Sequence, residues 1–259
     1  VTDNDVHIAG ARAMWGLADY TALADRLAPA ADVLADVVLE GAARVLDLAA
    51  GTGNVAERVA RRGVAVTAAD LSPRMVELGR ARTAGLDVTW YEADAGDLPF
   101  PDASFDAVLS AFGIIFAPAP AEALAQARRV LRPGGVFAAT SWTPGGFMGA
   151  MTEVMRRWLP PAADAADVLD WGRPAALTPL LTDAGFPTLE ITVHTLPWHF
   201  DSPSAMTRFL LAHSPAHRAA ADAVGSAAPE MLAAVEDLAA PPDQPVRAEA
   251  EYLLVTAAG

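Results

Sequence analysis

The chain contains no cysteine. It can therefore form no disulfide, offer no thiolate nucleophile and build no cysteine zinc site. Lysine is missing too, all 18 basic residues being arginine. That removes a Schiff-base amine, a phosphate-loop ammonium and the lysine of a Tyr-x-x-x-Lys dehydrogenase. No run of eighteen residues is free of charges and turn-formers in the way a spanning helix needs. The opening residues, "VTDNDVHIAG", lack the basic-then-apolar order of a secretory signal. A cytoplasmic protein without a membrane partner is the expectation. Positive charge is scarce: 18 basic against 32 acidic residues give a formal net charge of −14. This opposes a nucleic-acid site, which needs clustered basic residues to displace counterions. A solvated acidic surface accounts for the charge without invoking a cationic substrate.

What the chain does have is apolar content, 53% of its 259 residues, enough for one enzyme-sized core. Residues 7–39 carry apolar side chains at helical spacing, as in "ALADRLAPAADVLADVVL", with Pro29 as a break between two helices. From Arg44 the pattern changes. "RVLDLA" is a short continuous apolar run suited to a strand buried on both faces, followed by glycines and a helix from about Asn54 to Arg62. "VAVTAAD" (64–70) reads as a second strand, and Ser72-Pro73 as the cap and first residue of the next helix. Strands follow at 87–94, 105–112 and 136–142, with a helix at 120–131 and a turn at 132–135. This alternation predicts an α/β fold with a doubly wound parallel sheet. After Trp142 a glycine hinge and a Met- and Trp-bearing helix interrupt it. A helix near 174–184 and strands at 188–199 and 250–256 resume it. A single domain over 1–259 is expected. It comprises a helical lead-in (1–43), a ligand-binding core (44–142) and cap insertions at 143–173 and 200–247.

"VLDLAAGTGNVAERVA" (45–60) matches Gly-x-Gly-x-x-Ala at Gly51, Gly53 and Ala56, with Asp70 about twenty residues later, a pattern compatible with nicotinamide dinucleotides. Three further features favour S-adenosylmethionine, which has no phosphate to cradle. They are Asp47 near the end of the first strand, the pair Asp94-Ala95 after the third, and the helix-turn-strand "RRVLRPGGVF". A loop of small residues, Ala49, Ala50, Gly51 and Gly53 among them, lets backbone approach the ligand, and a peptide carbonyl there can accept from an α-ammonium. Asp70 can accept from both ribose hydroxyls. Asp94 can accept from the adenine amino group while the N–H of Ala95 donates to a ring nitrogen, and Leu71 and Met75 can pack on the adenine faces.

"VLDLAAGTGN", "AADLSPRMVELGRAR", "ADAGDLPFPDASFDAVLSAFGIIFAP" and "ARRVLRPGGVFAATSW" together resemble motifs I to VI of class I S-adenosylmethionine-dependent methyltransferases. The closest style is the ubiquinone/menaquinone-biosynthesis type and its small-molecule relatives. The resemblance runs from about 44 to 142. It implies a Rossmann-like seven-stranded sheet in the order 3-2-1-4-5-7-6 with strand seven antiparallel, S-adenosylmethionine as cofactor and S-adenosylhomocysteine as product. Ser110 and Phe112, at the tip of the fourth strand, are further cofactor candidates. The family usually has Gly-Cys or Gly-Ser where this chain has Ala49-Ala50. Alanine does not easily take positive φ, so the loop is expected to be set slightly differently while still binding. "MWGLADY" (14–20) resembles a segment that folds over the methionine end in some relatives. Trp15 and Tyr20 are thus ligand candidates, ordinary helix packing being the competing explanation.

Methyl transfer from a sulfonium depends mostly on holding the acceptor in line, so a dedicated catalytic residue is not required. A hydroxyl acceptor would gain from a base. His199, after the sixth strand, is the first candidate, against a histidine satisfied by backbone near the cap. His7 is a weaker candidate, and His194, within an alternating strand, is most simply structural. His213 and His217 have the spacing of a metal pair, but Ser214-Pro215 reads as a cap that divides them between helices, so no metal site is expected. The acceptor pocket is expected from "FGIIF" (Phe112, Ile115), from "WTPGGFMGAMTEVMRRW" (Phe147, Met151) and from Phe209 on the cap. Met148, Met151, Met155 and Trp158 share a helical face, a stripe that is more often core than substrate surface. The expected function is methylation of a small apolar or aromatic molecule, with oxygen slightly ahead of nitrogen or carbon. A cofactor-retaining binding or cyclase-like protein and a nicotinamide-dependent oxidoreductase are the alternatives. The sequence says nothing of oligomeric state.

Overall fold

The computed structural model describes residues 3–38, 40–161 and 166–258. The side chains of residues 3–7, His7 included, lie outside that description, as do Leu39 of the lead-in and residues 162–165 of the first cap insertion. The lead-in forms α1 (Asp3–Met14), α2 (Thr21–Arg26) and α3 (Ala28–Ala35). Pro29 stands in the first turn of α3, where its missing N–H costs nothing, and so separates α2 from α3 as expected.

The apolar runs become strands because both of their faces are covered. β1 (Arg44–Leu48), β2 (Ala65–Asp70), β3 (Val88–Glu92), β4 (Phe105–Ala111) and β5 (Leu131–Trp142) are parallel. Their connections are α4 (Asn54–Ala60), α5 (Pro73–Arg82) and α6 (Pro120–Val130). Successive residues alternate between two core layers. Val45 and Leu109 face the layer under α3 and α4, while Leu46 and Val108 face the layer under α6. The turn at 132–135 is an irregular step inside β5: Leu131 pairs with Phe105, and pairing resumes at Val136 with Ala107.

α7 (Phe147–Met155) and α8 (Pro174–Asp183) lead to β6 (Thr188–Phe200). Then α9 (Pro203–His213), α10 (Pro215–Val224) and α11 (Ala228–Ala239) precede β7 (Val246–Ala258), which is longer than the expected 250–256. Ser202 and Ser214 cap α9 and α10, each followed by proline, just as Ser72 caps α5. The sheet order is β3-β2-β1-β4-β5-β7-β6, with β7 antiparallel to both neighbours. The order implied by the family resemblance is therefore the one observed. Among the described residues no helix is long and apolar enough to cross a membrane.

Arg26 makes one of the contacts between the lead-in and the segment β6–α9. The Arg26 guanidinium, at the end of α2, lies 3.9 Å from the Phe200 ring centre and 4.8 Å from that of Phe209, and Nη1 donates to the His199 carbonyl at 3.1 Å. Among the described residues no carboxylate pairs with it, and burial pulls its pKa down.

α5 lies against β3 only because position 79 has no side chain. Trp90 of β3 is buried, its indole N–H donating to Thr83 Oγ1 at 3.0 Å, and a Cβ on Gly79 would fall inside its ring. Gly79→Ala is expected to cost about 2–3 kcal/mol, at the upper end for overpacking because the ring is pinned. Urea denaturation followed by circular dichroism measures this. An unchanged midpoint would show that Trp90 can move.

Candidate functional site

The glycine-rich turn rests on two buried carboxylates. Asp47 accepts from the N–H of Ala56 at 2.8 Å, tying the end of β1 to α4. Asp70, at the tip of β2, accepts from the Gly51 N–H at 2.7 Å through one oxygen and from the Ser72 N–H at 2.9 Å through the other. Burial pushes Asp70 up to about 6 against the pull of those two donors. Burial first, and the nearby Asp70 charge second, raise Asp47 well above the carboxylate range. Three residues of the turn are left-handed, with φ of 52° at Ala49, 56° at Gly51 and 79° at Gly53. Ala49 thus adopts the conformation expected to exclude alanine, so the loop keeps its glycine-like path and bears the strain instead. Packed directly against it is Gly113, where a Cβ would collide with the Ala49 carbonyl.

This turn forms the floor of a cavity of about 830 Å³, part of it open to solvent. Asp70, Leu71, Met75, Asp94 and Ala95 line it on the β2–β3 side, and Ala49, Ala50 and Gly51 from beneath. Trp15, Tyr20 and Phe112 line it from the lead-in and from β4. The Asp94 carboxylate also accepts from the Gly96 N–H at 2.9 Å, which fixes the turn after β3. The lead-in is fastened over the cavity by Arg12, whose Nε donates to the Leu71 carbonyl at 3.2 Å and whose Nη2 pairs with Glu92. Trp15 packs edge-on against Tyr20 and Phe116, at 6.0 and 5.1 Å between ring centres. Burial, and then the charge of Asp70, raise the Tyr20 phenol above its ordinary value, so it stays a hydrogen-bond donor. Phe112 is itself left-handed (φ 55°) and stacks on Trp142 at 4.0 Å.

Other expected site residues stand behind the wall and not on it. Asp47, Gly53 and Ser110 are supports: Gly53 leaves room for Trp90, and Ser110 Oγ accepts from the Ile114 N–H at 2.9 Å. Ile115 and Met151 are buried in the core and Phe147 packs against it. Phe209 stacks on Phe200 at 5.4 Å beside Arg26. The His199 side chain is half exposed, its Nε2 3.9 Å from Glu249, and it is not among the residues lining the cavity. His194 stacks on Tyr252. His213 and His217 fall on separate helices, as expected. His213 lies 3.2 Å from the Asp19 carbonyl; His217 is half-buried beside Ser214, and burial depresses its pKa to about 4. Among the described residues no three metal-ligating side chains cluster.

Of the expected segment 112–116, Phe112, Gly113, Ile114 and Phe116 line the wall; the sequence reading missed Ala11, Leu27, Asn54, Ala93, Ala111, Ala117 and Pro118. Asn54 had a signal, since it follows Gly53 directly. It donates to the Ala24 carbonyl at 3.4 Å and so joins the turn to α2.

Residues 45–135 match the family model described as a methyltransferase domain. Over 177 residues the chain is 42% identical to an uncharacterised protein of Mycobacterium tuberculosis, covering 66% of this chain and 65% of that one. It is 36% identical over 166 residues to the demethylmenaquinone methyltransferase of Renibacterium salmoninarum, covering 56% of this chain and 69% of the relative. Among solved structures, the 4+2 cyclase SpnF matches with a TM-score of 0.55 at 26% identity, over 94% of this chain and 83% of that one.

The strained alanine makes the turn improvable. A left-handed alanine costs about 1–2 kcal/mol, against about 0.5–1 kcal/mol of extra backbone entropy for glycine. Ala49→Gly is expected to raise the melting temperature by about 2–4 °C for each kcal/mol gained. A lower melting temperature in calorimetry would count against the strained conformation.

Proposed function

The chain belongs to the class I S-adenosylmethionine-dependent methyltransferases, and from that we propose that it methylates a small apolar or aromatic molecule held in the 830 Å³ cavity. The observation that carries this reading is Asp70, a carboxylate at the tip of β2 that is fixed by two N–H donors and lines the cavity. We assign to it the ribose hydroxyls of the cofactor. Asp94 and Ala95 take the adenine edge, Leu71 and Met75 its faces, and the Ala49–Gly51 backbone the methionine moiety. The bound cofactor supplies an activated methyl group.

The chain's own part is then to hold the acceptor in line and keep water away. Trp15, Leu27, Phe112 and Phe116 give the remaining wall an apolar and aromatic character, which is the support for the acceptor class. Among the described residues no histidine lines the cavity, and Tyr20 holds its proton. Proximity without a general base is the mechanism this favours, and the preference for oxygen that His199 supported is not kept. A second reading, pocket retention without transfer, draws support from the likeness to the SpnF cyclase. Analysis of products with a labelled methyl donor separates the two.

Calorimetric titration with S-adenosylmethionine and S-adenosylhomocysteine, with NAD and NADP as controls, tests the cofactor assignment. The sulfur ligands alone are expected to bind. Asp70 must be ionised to accept two hydroxyls, so affinity should rise roughly tenfold between pH 5 and pH 7 as the group titrates near 6. The sign for the free protein is opposite. Its folded value lies above the ordinary 3.8, so this group lowers stability as pH rises through that window to about 6. Asp70→Asn should weaken binding on the order of tenfold or more and flatten both dependences. Binding of nicotinamides alone would overturn the reading. Substitution of His199 by alanine should leave turnover unchanged, and a loss of kcat with intact cofactor binding would restore it as a base.

A further inference from the structure

β6 is a long edge strand, and nothing among the described residues caps its backbone between Thr188 and Leu196. The opposite edge is treated differently: β3 is only five residues long and its Trp90 carbonyl takes a hydrogen bond from Arg80 at 3.3 Å. An uncapped edge is a template for another strand. From the two prolines that bracket this edge and the residues between them, we propose that β6 pairs antiparallel with β6 of a second copy, about a two-fold axis at Thr192, to give one continuous sheet.

Three observations fix the partner and the register. First, Pro187 and Pro197 lack an N–H and can donate nothing to an added strand, and the stretch 188–196 between them has Thr192 at its midpoint. A two-fold at Thr192 sets proline opposite proline and gives the longest symmetric ladder free of proline. Second, that register places Glu190 opposite His194 and Ile191 opposite Val193. The Glu190 carboxylate meets an imidazole and not another carboxylate, and Val193, the most exposed large apolar side chain of the chain's described residues at 60%, meets another β-branched one. Third, the chain carries a net charge of −14, which opposes self-association over most of its surface, but this stretch holds a single carboxylate, Glu190. The pairing is isologous, as closed dimers require, and does not depend on the reading of the cavity.

The absence of cysteine gives a direct test. Directly opposed residues on antiparallel strands have Cα atoms about 4.5–5.5 Å apart, within the roughly 4.4–6.8 Å that a disulfide spans. Thr192→Cys is therefore expected to form a disulfide-linked dimer under mild oxidation. Val193→Cys, whose counterpart lies diagonally about 7–8 Å away, should link at least tenfold more slowly. Sedimentation of the unaltered chain should give twice the chain mass. Val193→Lys, at a position too exposed to disturb the fold, should shift the dimer to monomer with at least a tenfold weaker Kd. A monomer in the unaltered protein overturns the proposal. So does a dimer that survives Val193→Lys, or equal linking of the two cysteine variants.

Discussion

Two backbone N–H groups, from Gly51 and Ser72, converge on the carboxylate of Asp70, and the ligand face is built around that convergence. Neighbouring parallel strands β1 and β2 run in register up to Leu48 and Ala69, so the turns leaving them meet at the same height. One buried acid closes both. One position before the end of β1, Asp47 closes the turn from below through Ala56. Placing two carboxylates this close in a buried region costs stability, which shows in both raised pKa values. The backbone donors offset part of that cost, and a ligand with hydroxyl donors would offset more. The lead-in completes the enclosure from outside, with Tyr20 against Gly51 and Arg12 reaching Leu71 just beyond Asp70.

Strand and helix identity was legible because the apolar runs from Val45 and Phe105 are continuous, as strands covered on both faces must be, and because Ser-Pro pairs mark three helix starts. Strand order was not legible from periodicity; it came with the motif resemblance, since crossovers leave no local trace. Alternation also held information that went unused. Asp47 shares a strand face with Val45, which packs under α4, so its side chain points to the helix and away from the cavity. His199 lies between Trp198 and Phe200, both buried, so its ring must face outward. The wall contributed by Ala11, Leu27 and Pro118 was beyond reach, because the lead-in's path over the sheet is set by contacts far apart in sequence. Nor does a sequence show that Phe112 takes a left-handed conformation, which depends on its stacking against Trp142 and on Thr140 accepting its N–H at 3.1 Å.

The joint at Arg26 has a consequence for how the enclosure moves. Elsewhere on the surface, arginines meet exposed carboxylates, as Arg62 meets Asp36 and Arg74 meets Glu77, and such pairs fade as ions crowd the solution. Arg26 is held by ring faces and a peptide carbonyl, which offer no net charge for dissolved ions to neutralise. In brine, then, the outer arginine pairs of this protein loosen while the segment carrying Tyr20 stays coupled to the last three helices.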